Sequence, residues 1–374
     1  MLAVAHELKQ IQPKVDLIYA IGKGDKLAHL PHEDAVISQV FSIRSGKFRR
    51  YHGEGWKQLF DIPTLVKNIR DFFFVLIGFI QSIILLKKEK PDVIFIKGGF
   101  VAVPVGLAAA LLRIPYMTHD SDAVPGLANR IISKWAYIHA VAMPLDNYSY
   151  EVAKMKQVGV PISSKYQVVN RANQKKFIRE IGIADEDAQV LLITGGGLGA
   201  QRLNTAITKI ARQLLAKNPS VYIVHIAGPK KAKLLSQEYE SQLKGDPNDR
   251  IIIKEFVDDL YRYSGAADVI IARAGANSLT EFAAQQKACI IIPNPQLTGG
   301  HQLKNAESLA NQGAITQISD ESVQKNPELL LREVRLLLGS VHERAKLATQ
   351  FHSLSDDKAA EKIALMILDQ LKEK

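Results

Sequence analysis

Cysteine is almost absent from this sequence, which excludes the frameworks that depend on it. The 374 residues include one cysteine, Cys289, so neither an intrachain disulfide nor a cysteine-based metal site can form. Cys289 falls in the apolar pattern of residues 288–292, where a small buried hydrophobic residue is expected. Zinc-finger, aromatic RNA-binding and basic-tail motifs are also lacking, which argues against a nucleic-acid partner. These absences fit a protein of the reducing cytoplasm.

No apolar run reaches the ~20 residues that a membrane-spanning helix requires. The longest run, residues 72–86, contains fifteen residues and lies among basic side chains. Those are Lys47, Arg49, Arg50, Lys57, Lys67, Arg70, Lys87 and Lys88. Either the run is a helix buried against a sheet, or its start rests with Tyr51, Trp56 and Phe60 on an anionic membrane surface. No signal peptide precedes it, so we expect a cytoplasmic protein that is at most peripheral to a membrane.

The remaining composition is that of an ordinary globular protein, with 47% hydrophobic and 23% charged residues. The chain is long enough for two domains, each with its own core. A net charge of +10 points to an acidic partner, either anionic lipid or a phosphorylated substrate.

Strand and helix patterns alternate along the whole chain, which predicts parallel α/β sheets with helices on both faces. We predict strands at residues 15–20, 34–41, 92–97, 116–119, 138–142, 190–194, 221–227, 251–253, 269–272, 290–292 and 315–318. Broken periodicity around residues 157–166 suggests domains at 1–160 and 161–355. The amphipathic helix in residues 356–374 is expected to cross back to the first domain.

Two strand-to-helix turns in the second half carry small residues. The first follows residues 191–194 with three glycines and a fourth at Gly199, and the second follows residues 268–272 and leads into a helix with Glu281. Glycines allow a ligand close to the backbone, and helix starts attract phosphate. A carboxylate beside such turns can bind a ribose diol. About half of such turns merely join strand to helix, so the pair is more informative than either alone.

Six ordered motifs resemble those of the MurG family. They are Lys90-Pro-Asp-Val-Ile-Phe-Ile-Lys-Gly-Gly-Phe100, Ile114-Pro-Tyr-Met-Thr-His-Asp-Ser-Asp122, Gly196-Gly-Leu-Gly-Ala200, Glu255-Phe-Val-Asp-Asp259, Arg273-Ala-Gly-Ala276 with Glu281, and His301-Gln-Leu-Lys-Asn-Ala306. The resemblance covers about residues 1–370. It implies the GT-B fold, in which two doubly wound, Rossmann-like domains face a central cleft.

The resemblance also implies an activity, which is inverting transfer of N-acetylglucosamine from UDP-N-acetylglucosamine (UDP-GlcNAc) to lipid I. This reaction forms lipid II in peptidoglycan synthesis, without metal or other cofactor, at the cytoplasmic face of the membrane. In the family a strand and a glycine-histidine loop precede the opening helix. We therefore expect Met1 to be an internal methionine and the chain to lack that loop.

By the same resemblance, most donor-binding residues lie in the second half. Val257 would contact uracil, Glu281 the ribose hydroxyls, and His301 and Gln302 the sugar. The turns near the diphosphate would comprise Gly196, Gly197, Arg273, Ala276, Asn277, Ser278, Leu279 and Thr280. For Arg273, a salt bridge that supports the turn is an equally good interpretation.

In the first half, Gly98, Gly99 and Phe100 match the acceptor motif, although Phe100 lacks the hydroxyl of the family's tyrosine. Asp122 and Ser163 would lie near the donor. Asp122 replaces a neutral amide and would repel a diphosphate. Ser163 replaces an arginine, which removes a phosphate contact unless Lys165 substitutes for that arginine. Gly197 similarly replaces a serine.

The general base of the family lies in the missing loop, which leaves His119 and Asp122 as candidates here. A histidine at a strand end is more often a structural residue. Two other functions stay open: another GT-B enzyme, such as a UDP-GlcNAc epimerase or a glycolipid glycosyltransferase, or a catalytically impaired UDP-binding protein.

Overall fold

The computed structural model describes residues 1–25, 27–47, 62–196, 200–243, 249–295 and 300–372. They form two compact units. The first comprises Met1–Ser163 and Asp356–Lys374, and the second comprises Ser164–Ser355.

The first unit contains two parallel sheets within its described residues. Its elements up to residue 157 are α1 (Leu2–Ile11), β1 (Ile18–Gly22), α2 (His29–Glu33), β2 (Gln39–Ile43), α3 (Ile62–Glu89), β3 (Ile94–Ile96), α4 (Ala102–Leu111), β4 (Tyr116–Asp120), α5 (Leu127–Ile132), β5 (Ile138–Val141) and β6 (Met155–Gln157). One sheet pairs β1 with β2, and the other has the order β3-β4-β5-β6. All these pairings are parallel, as strand–helix alternation predicts.

The strand predicted at residues 34–41 begins later than expected because a turn occupies its first positions. The Asp34 carboxylate accepts a hydrogen bond from the Val36 N–H at 3.1 Å, and the Ile37 N–H donates to the Asp34 carbonyl at 3.1 Å. An aspartate that bonds the backbone two residues ahead forms a local turn. Strand β2 therefore starts at Gln39.

The second unit contains one six-stranded parallel sheet. Its elements are α6 (Arg171–Glu180), β7 (Gln189–Thr194), α7 (Gln201–Lys217), β8 (Val221–Ile226), α8 (Ala232–Leu243), β9 (Ile251–Lys254), α9 (Leu260–Ala266), β10 (Val269–Ala272), α10 (Ala276–Ala284), β11 (Ala288–Ile291), α11 (His301–Ala310), β12 (Thr316–Gln317), α12 (Asp320–Lys325), α13 (Pro327–Gly339) and α14 (Val341–Ser353). The strand order is β12-β11-β10-β7-β8-β9. This is the doubly wound order, in which the direction of winding reverses between β7 and β10.

Alternate residues of β7 face opposite cores of this unit. Leu191 and Ile193 belong to one buried cluster, and Val190 and Leu192 belong to another. Because successive side chains of a strand point to opposite faces, a strand covered by helices on both sides is apolar throughout. The continuous apolar run therefore identifies β7 as a central strand.

The last helix, α15 (Ala359–Lys372), packs within the first unit. Its buried face, including Ile363 and Ile367, shares a core cluster with Val4 and Leu8 of α1 and with Met117 of β4. The chain thus returns to its first unit after completing the second.

Candidate functional site

The sheet of the second unit reverses its winding between β7 and β10, where ligands bind in open α/β folds. The two strands pair in parallel from Leu191 with Val269 to Thr194 with Ala272, so they end at the same level. Both predicted small-residue turns begin at this edge. The reversal of strand order therefore brings the two turns together.

The second residue of the turn after β7 is a glycine in a conformation that other residues rarely adopt. Gly196 has a φ of +75°, and its N–H donates to the Thr194 hydroxyl at 3.3 Å. A side chain at this position would strain the backbone. Gly197 and the next two residues lie outside the described residues, so the predicted role of Gly197 stays a prediction.

A buried polar network lies behind this turn and was not predicted from the sequence. His225 of β8 donates from Nε2 to Asn204 Oδ1 at 3.1 Å, and the Tyr239 hydroxyl donates to His225 Nδ1 at 2.8 Å. Asn204 also donates to the Ala227 carbonyl at 3.0 Å. Burial lowers the pKa of His225 to about 3, so the ring stays neutral. The network ties the first turn of α7 to β8.

The turn after β10 leads into α10, whose first turn is oriented by the sheet. The Leu279 N–H is bonded within the helix, to the Gly275 carbonyl at 3.0 Å. The N–H groups before it, beginning at Ala276, are those that a helix start can offer to an anion. This edge can therefore accept a diphosphate through backbone groups.

The predicted residues of α10 differ in where their side chains point. Leu279 is 3% exposed and belongs to a core cluster, so its side chain is unavailable to a nucleotide-sugar donor. Asn277 is exposed, Ser278 and Glu281 are half-buried, and the Thr280 hydroxyl donates to the Ala276 carbonyl at 3.0 Å. The polar face of α10 is therefore formed by Asn277, Ser278 and Glu281.

Glu281 influences the titration of a tyrosine that the sequence did not single out. Burial raises the pKa of Tyr166, and the negative charge of Glu281 and its hydrogen bonding to the phenol raise it further. The phenol therefore keeps its proton.

Arg273 forms a buried ion pair with α12. Its Nη1 lies 2.7 Å from Asp320 Oδ1, and the two side chains are 7% and 3% exposed. Nη1 also donates to the Ile292 carbonyl after β11 at 3.0 Å. This is the geometry of the salt bridge that supports the turn, and a contact of Arg273 with the donor stays a prediction.

Two further predicted donor contacts lie in loops of this unit. Val257 is half-buried in the turn between β9 and α9 and packs against a core cluster. Gln302 Oε1 accepts a hydrogen bond from the Asn294 N–H at 2.9 Å, which leaves the amide NH₂ to recognise a ligand. His301 begins α11, and its Nδ1 is buried without a hydrogen-bond partner in the described part of the chain.

In the first unit, the predicted acceptor residues form the turn after β3. Gly98 and Gly99 have φ values of +87° and +83°, and a Cβ at Gly98 would meet the Asn129 side chain at 3.4 Å. Phe100 is 48% exposed, and Lys47 Nζ lies 5.6 Å from its ring centroid. The turn presents an exposed aromatic ring beside a cation.

His119 is fully buried at the end of β4, as expected of a histidine with a structural role. Its Nε2 donates to the Gly159 carbonyl at 2.9 Å, and its ring meets Phe95 edge-on at 6.3 Å. Burial, with a smaller contribution from the charge of Lys97, lowers the pKa of His119 to about 3. A base this weak and enclosed is poorly suited to accept a substrate proton.

The loop that follows β4 places Asp122 at the carboxyl edge of its sheet. Asp120 anchors this loop by accepting hydrogen bonds from the Gly126 N–H at 3.0 Å and the Tyr150 hydroxyl at 2.8 Å. The Tyr148 hydroxyl donates to the Asp122 carbonyl at 2.9 Å. The half-buried Asp122 side chain is thus on a fixed backbone, while Ser163 ends the continuous part of this unit.

Helix α3 has an apolar face directed away from the unit. Its buried face combines polar or small residues, including Asp71, Gly78 and Ser82, with the apolar Val75 and Leu86. A Cβ at Gly78 would collide with the Arg44 carbonyl, so the backbones lie close together. Six apolar residues on the opposite face, three to seven positions apart, are each more than half exposed: Ile62, Val66, Ile69, Phe73, Ile80 and Ile84.

Two further observations on the described residues concern metal binding and membrane crossing. Among them, no group of three or more His, Cys, Asp or Glu side chains is arranged to hold a metal ion. Helix α3, with 28 residues, is long and apolar enough to cross a membrane by length and composition, but 28% of its most apolar window is buried.

Comparisons with known domains and structures agree with this architecture. Residues 1–141 match the glycosyltransferase family 28 N-terminal domain, and residues 190–363 match the glycosyltransferase family 28 C-terminal domain. The structure of Acinetobacter baumannii MurG superposes with a TM-score of 0.68 at 24% identity, covering 98% of this chain and 94% of that one. A putative UDP-N-acetylglucosamine 2-epimerase from Listeria monocytogenes gives 0.67 at 13% identity, covering 100% and 93%. The fold is therefore GT-B, the two-domain class that glycosyltransferases share with these epimerases.

Relatives in sequence show which family of this class the chain belongs to. A UDP-N-acetylglucosamine–N-acetylmuramyl-(pentapeptide) pyrophosphoryl-undecaprenol N-acetylglucosamine transferase of Clostridium perfringens SM101 is 36% identical over 79% of this chain and 75% of its own length. The protein of that name from Legionella pneumophila Paris is 32% identical over 88% and 82%. The chain belongs to the MurG family of family 28 glycosyltransferases, which confirms the resemblance inferred from the six motifs.

Proposed function

We propose that this protein transfers N-acetylglucosamine from UDP-GlcNAc to lipid I, with inversion at the anomeric carbon, to form lipid II. The observation that carries the proposal is the meeting of two backbone turns at the β7–β10 edge, beside a carboxylate on α10. The relatives named for this activity supply the identity of the substrates.

The donor would lie across the carboxyl edge of the second unit. The start of α10 offers N–H groups and the positive end of the helix dipole to the diphosphate. Glu281, one turn further along, accepts hydrogen bonds from the ribose hydroxyls. As the glycosidic bond breaks, negative charge grows on the departing UDP, and these preorganised donors stabilise that charge. This supports a reaction that proceeds without a metal ion.

Acceptor chemistry requires a base for the sugar hydroxyl of lipid I. Of the two candidates, His119 is enclosed and weakly basic, whereas Asp122 is half-buried on an anchored loop. We assign the proton transfer to Asp122.

Membrane association would occur through α3. Its exposed stripe of six apolar residues runs along a helix about 42 Å long. Lys67 near its start and Lys87 and Lys88 in its last turn suit anionic lipid. Because Asp71 and Ser82 pack against the unit, the helix would lie in the membrane interface rather than cross the bilayer. This supports a peripheral enzyme at the cytoplasmic face.

The activity is tested by measuring UDP release from UDP-GlcNAc with and without a soluble lipid I analogue. The proposal predicts release that requires the analogue and persists when divalent metal is chelated. Conversion of UDP-GlcNAc to another UDP-sugar without acceptor would indicate an epimerase. UDP binding with no turnover would indicate the impaired binding protein, and either result would contradict the transferase.

A further inference from the structure

The carboxylate of Asp320 is shared by two arginines. Arg273 Nη1 lies 2.7 Å from Oδ1, and Arg202 Nη1 donates to Oδ2 at 3.2 Å. Asp320 and Arg273 are buried, whereas the Arg202 side chain is 54% exposed. Two guanidinium groups and one carboxylate give this cluster a net positive charge.

The excess charge lies on the solvent side of the cluster, at Arg202. Arg273 is the enclosed partner, because its Nη1 also donates to the Ile292 carbonyl at 3.0 Å. Its charge balances that of Asp320 in the interior, where an uncompensated charge is costly. A guanidinium has five N–H donors, and in the described part of the chain that of Arg202 uses one of them, for Asp320. The other donors can therefore bind a ligand.

The topology of the sheet brings this charge to the carboxyl edge. Arg202 is the second residue of α7, the helix after β7, and its carbonyl accepts a hydrogen bond from Gln324 Nε2 of α12 at 3.0 Å. Asp320 follows β12 and Arg273 follows β10, so the members of the cluster all leave the same edge. Asp320 joins the exposed guanidinium to Arg273, which is the first residue of the turn before α10.

An exposed guanidinium at this edge suits a diphosphate. Its planar fork can donate two parallel hydrogen bonds to phosphate oxygens, and such charged bonds are about twice as strong as neutral ones. Because Asp320 already restrains the Arg202 side chain, less conformational entropy is lost when a ligand binds. The start of α10 offers only the partial charge of a helix end, so a full positive charge adds to it.

We propose that Arg202, held at the carboxyl edge by Asp320, binds the diphosphate of the nucleotide-sugar donor. This rests on the proposed function, which assigns the diphosphate to that edge. The same charge would stabilise UDP as a leaving group, because negative charge grows on its phosphates when the glycosidic bond breaks.

The test compares the affinities of the protein for UDP and for uridine, which lacks the phosphates. Calorimetry measures the first, and displacement of UDP measures the second. We expect Arg202→Gln to weaken UDP binding about tenfold or more and to leave uridine almost unaffected. Arg202→Lys, which keeps the charge but loses the fork, should weaken UDP binding by a smaller factor. Arg212→Gln, the matched control, removes the same charge from an exposed residue further along α7 and should change neither affinity.

Three results would overturn the inference. If Arg202→Gln weakens UDP and uridine equally, Arg202 only joins α7 to α12. If it keeps the full preference for UDP, the diphosphate binds without Arg202, and the donor site of the proposed function survives. If the unaltered protein binds UDP no more tightly than uridine, the diphosphate assignment of the proposed function fails as well. Thermal melting checks the fold of each variant, and Arg202→Lys, which can still bond Asp320, gives the same comparison if the glutamine variant unfolds.

Discussion

Arg273 and Asp320 form an ion pair in the interior of the second unit, with 2.7 Å between Nη1 and Oδ1. Arg273 directly follows β10, and Asp320 is the first residue of α12. Because Arg273 Nη1 also bonds the Ile292 carbonyl, the pair joins the turn before α10 to the end of β11. The guanidinium therefore supports the carboxyl edge of the sheet from within.

Removing the charge of Asp320 should destabilise this unit. Asp320→Asn leaves the Arg273 charge buried without its counter-ion, which costs about 3–5 kcal/mol in the free energy of unfolding. Urea denaturation measures this loss. Asp369→Asn is the control, because it removes a carboxylate from an exposed pair with Lys372 and should cost less than about 1 kcal/mol. Equal effects of the two variants would show that the buried pair has no special role.

The buried His225 should make stability depend on pH. Its pKa is lowered from 6.5 to about 3 in the folded protein, so between these values the unfolded chain binds a proton that the folded one excludes. Stability from this group is therefore complete above pH 6.5 and falls as the pH falls toward 3. Between pH 7 and 5 the loss is about 2 kcal/mol. At pH 7, His225→Gln should have a lower free energy of unfolding than the unaltered protein. Between pH 7 and 5, its free energy of unfolding should fall by about 2 kcal/mol less than that of the unaltered protein. An identical pH dependence of the two proteins would refute the assignment.

The exposed face of α3 should govern binding to anionic vesicles. Phe73→Glu, at a side chain 57% exposed, should lower the partition coefficient about tenfold or more in co-sedimentation. Leu336→Glu makes the same kind of change at a side chain of α13 that is 51% exposed, and it should have little effect. Binding should also weaken at about 1 M salt, where the Debye length is near 3 Å. Binding that ignores both Phe73→Glu and salt would exclude α3 as the docking face.

Substitution of Asp122 tests whether its carboxylate is the general base. If Asp122 accepts the acceptor proton, Asp122→Asn should lower kcat about 10²-fold. Its affinity for UDP should not fall, because the substitution removes a proton acceptor from the first unit and leaves the second unit unchanged. Steady-state kinetics and calorimetry together measure both effects, with the exposed Asp146→Asn as control. An unchanged kcat would remove Asp122 from the proton transfer.

The sequence predicted the sheet of the second unit well, because parallel strands buried on both faces are apolar runs. All six strands fall within a few residues of their predicted positions. Strand β6 was not predicted, since its three residues, two of them exposed, carry no apolar period. The two separate sheets of the first unit were also not predicted, because strand alternation does not determine which strands pair.

The candidate site was predictable where it depends on local turns and not where it depends on distant contacts. The turn after β10 and Glu281 follow from a strand, small residues and a helix in succession. Tyr166 and Asp320 pair with these residues from distant parts of the sequence, so no local pattern indicated them. The burial of Leu279 also required the packing of α10 to be known.

A crystal structure with UDP bound would show directly where the nucleotide binds. The diphosphate should lie over the turn after β7 and the start of α10, with the ribose hydroxyls about 2.6–3.2 Å from the Glu281 carboxylate. Uridine bound elsewhere, or side chains filling the space above the two turns, would contradict the account.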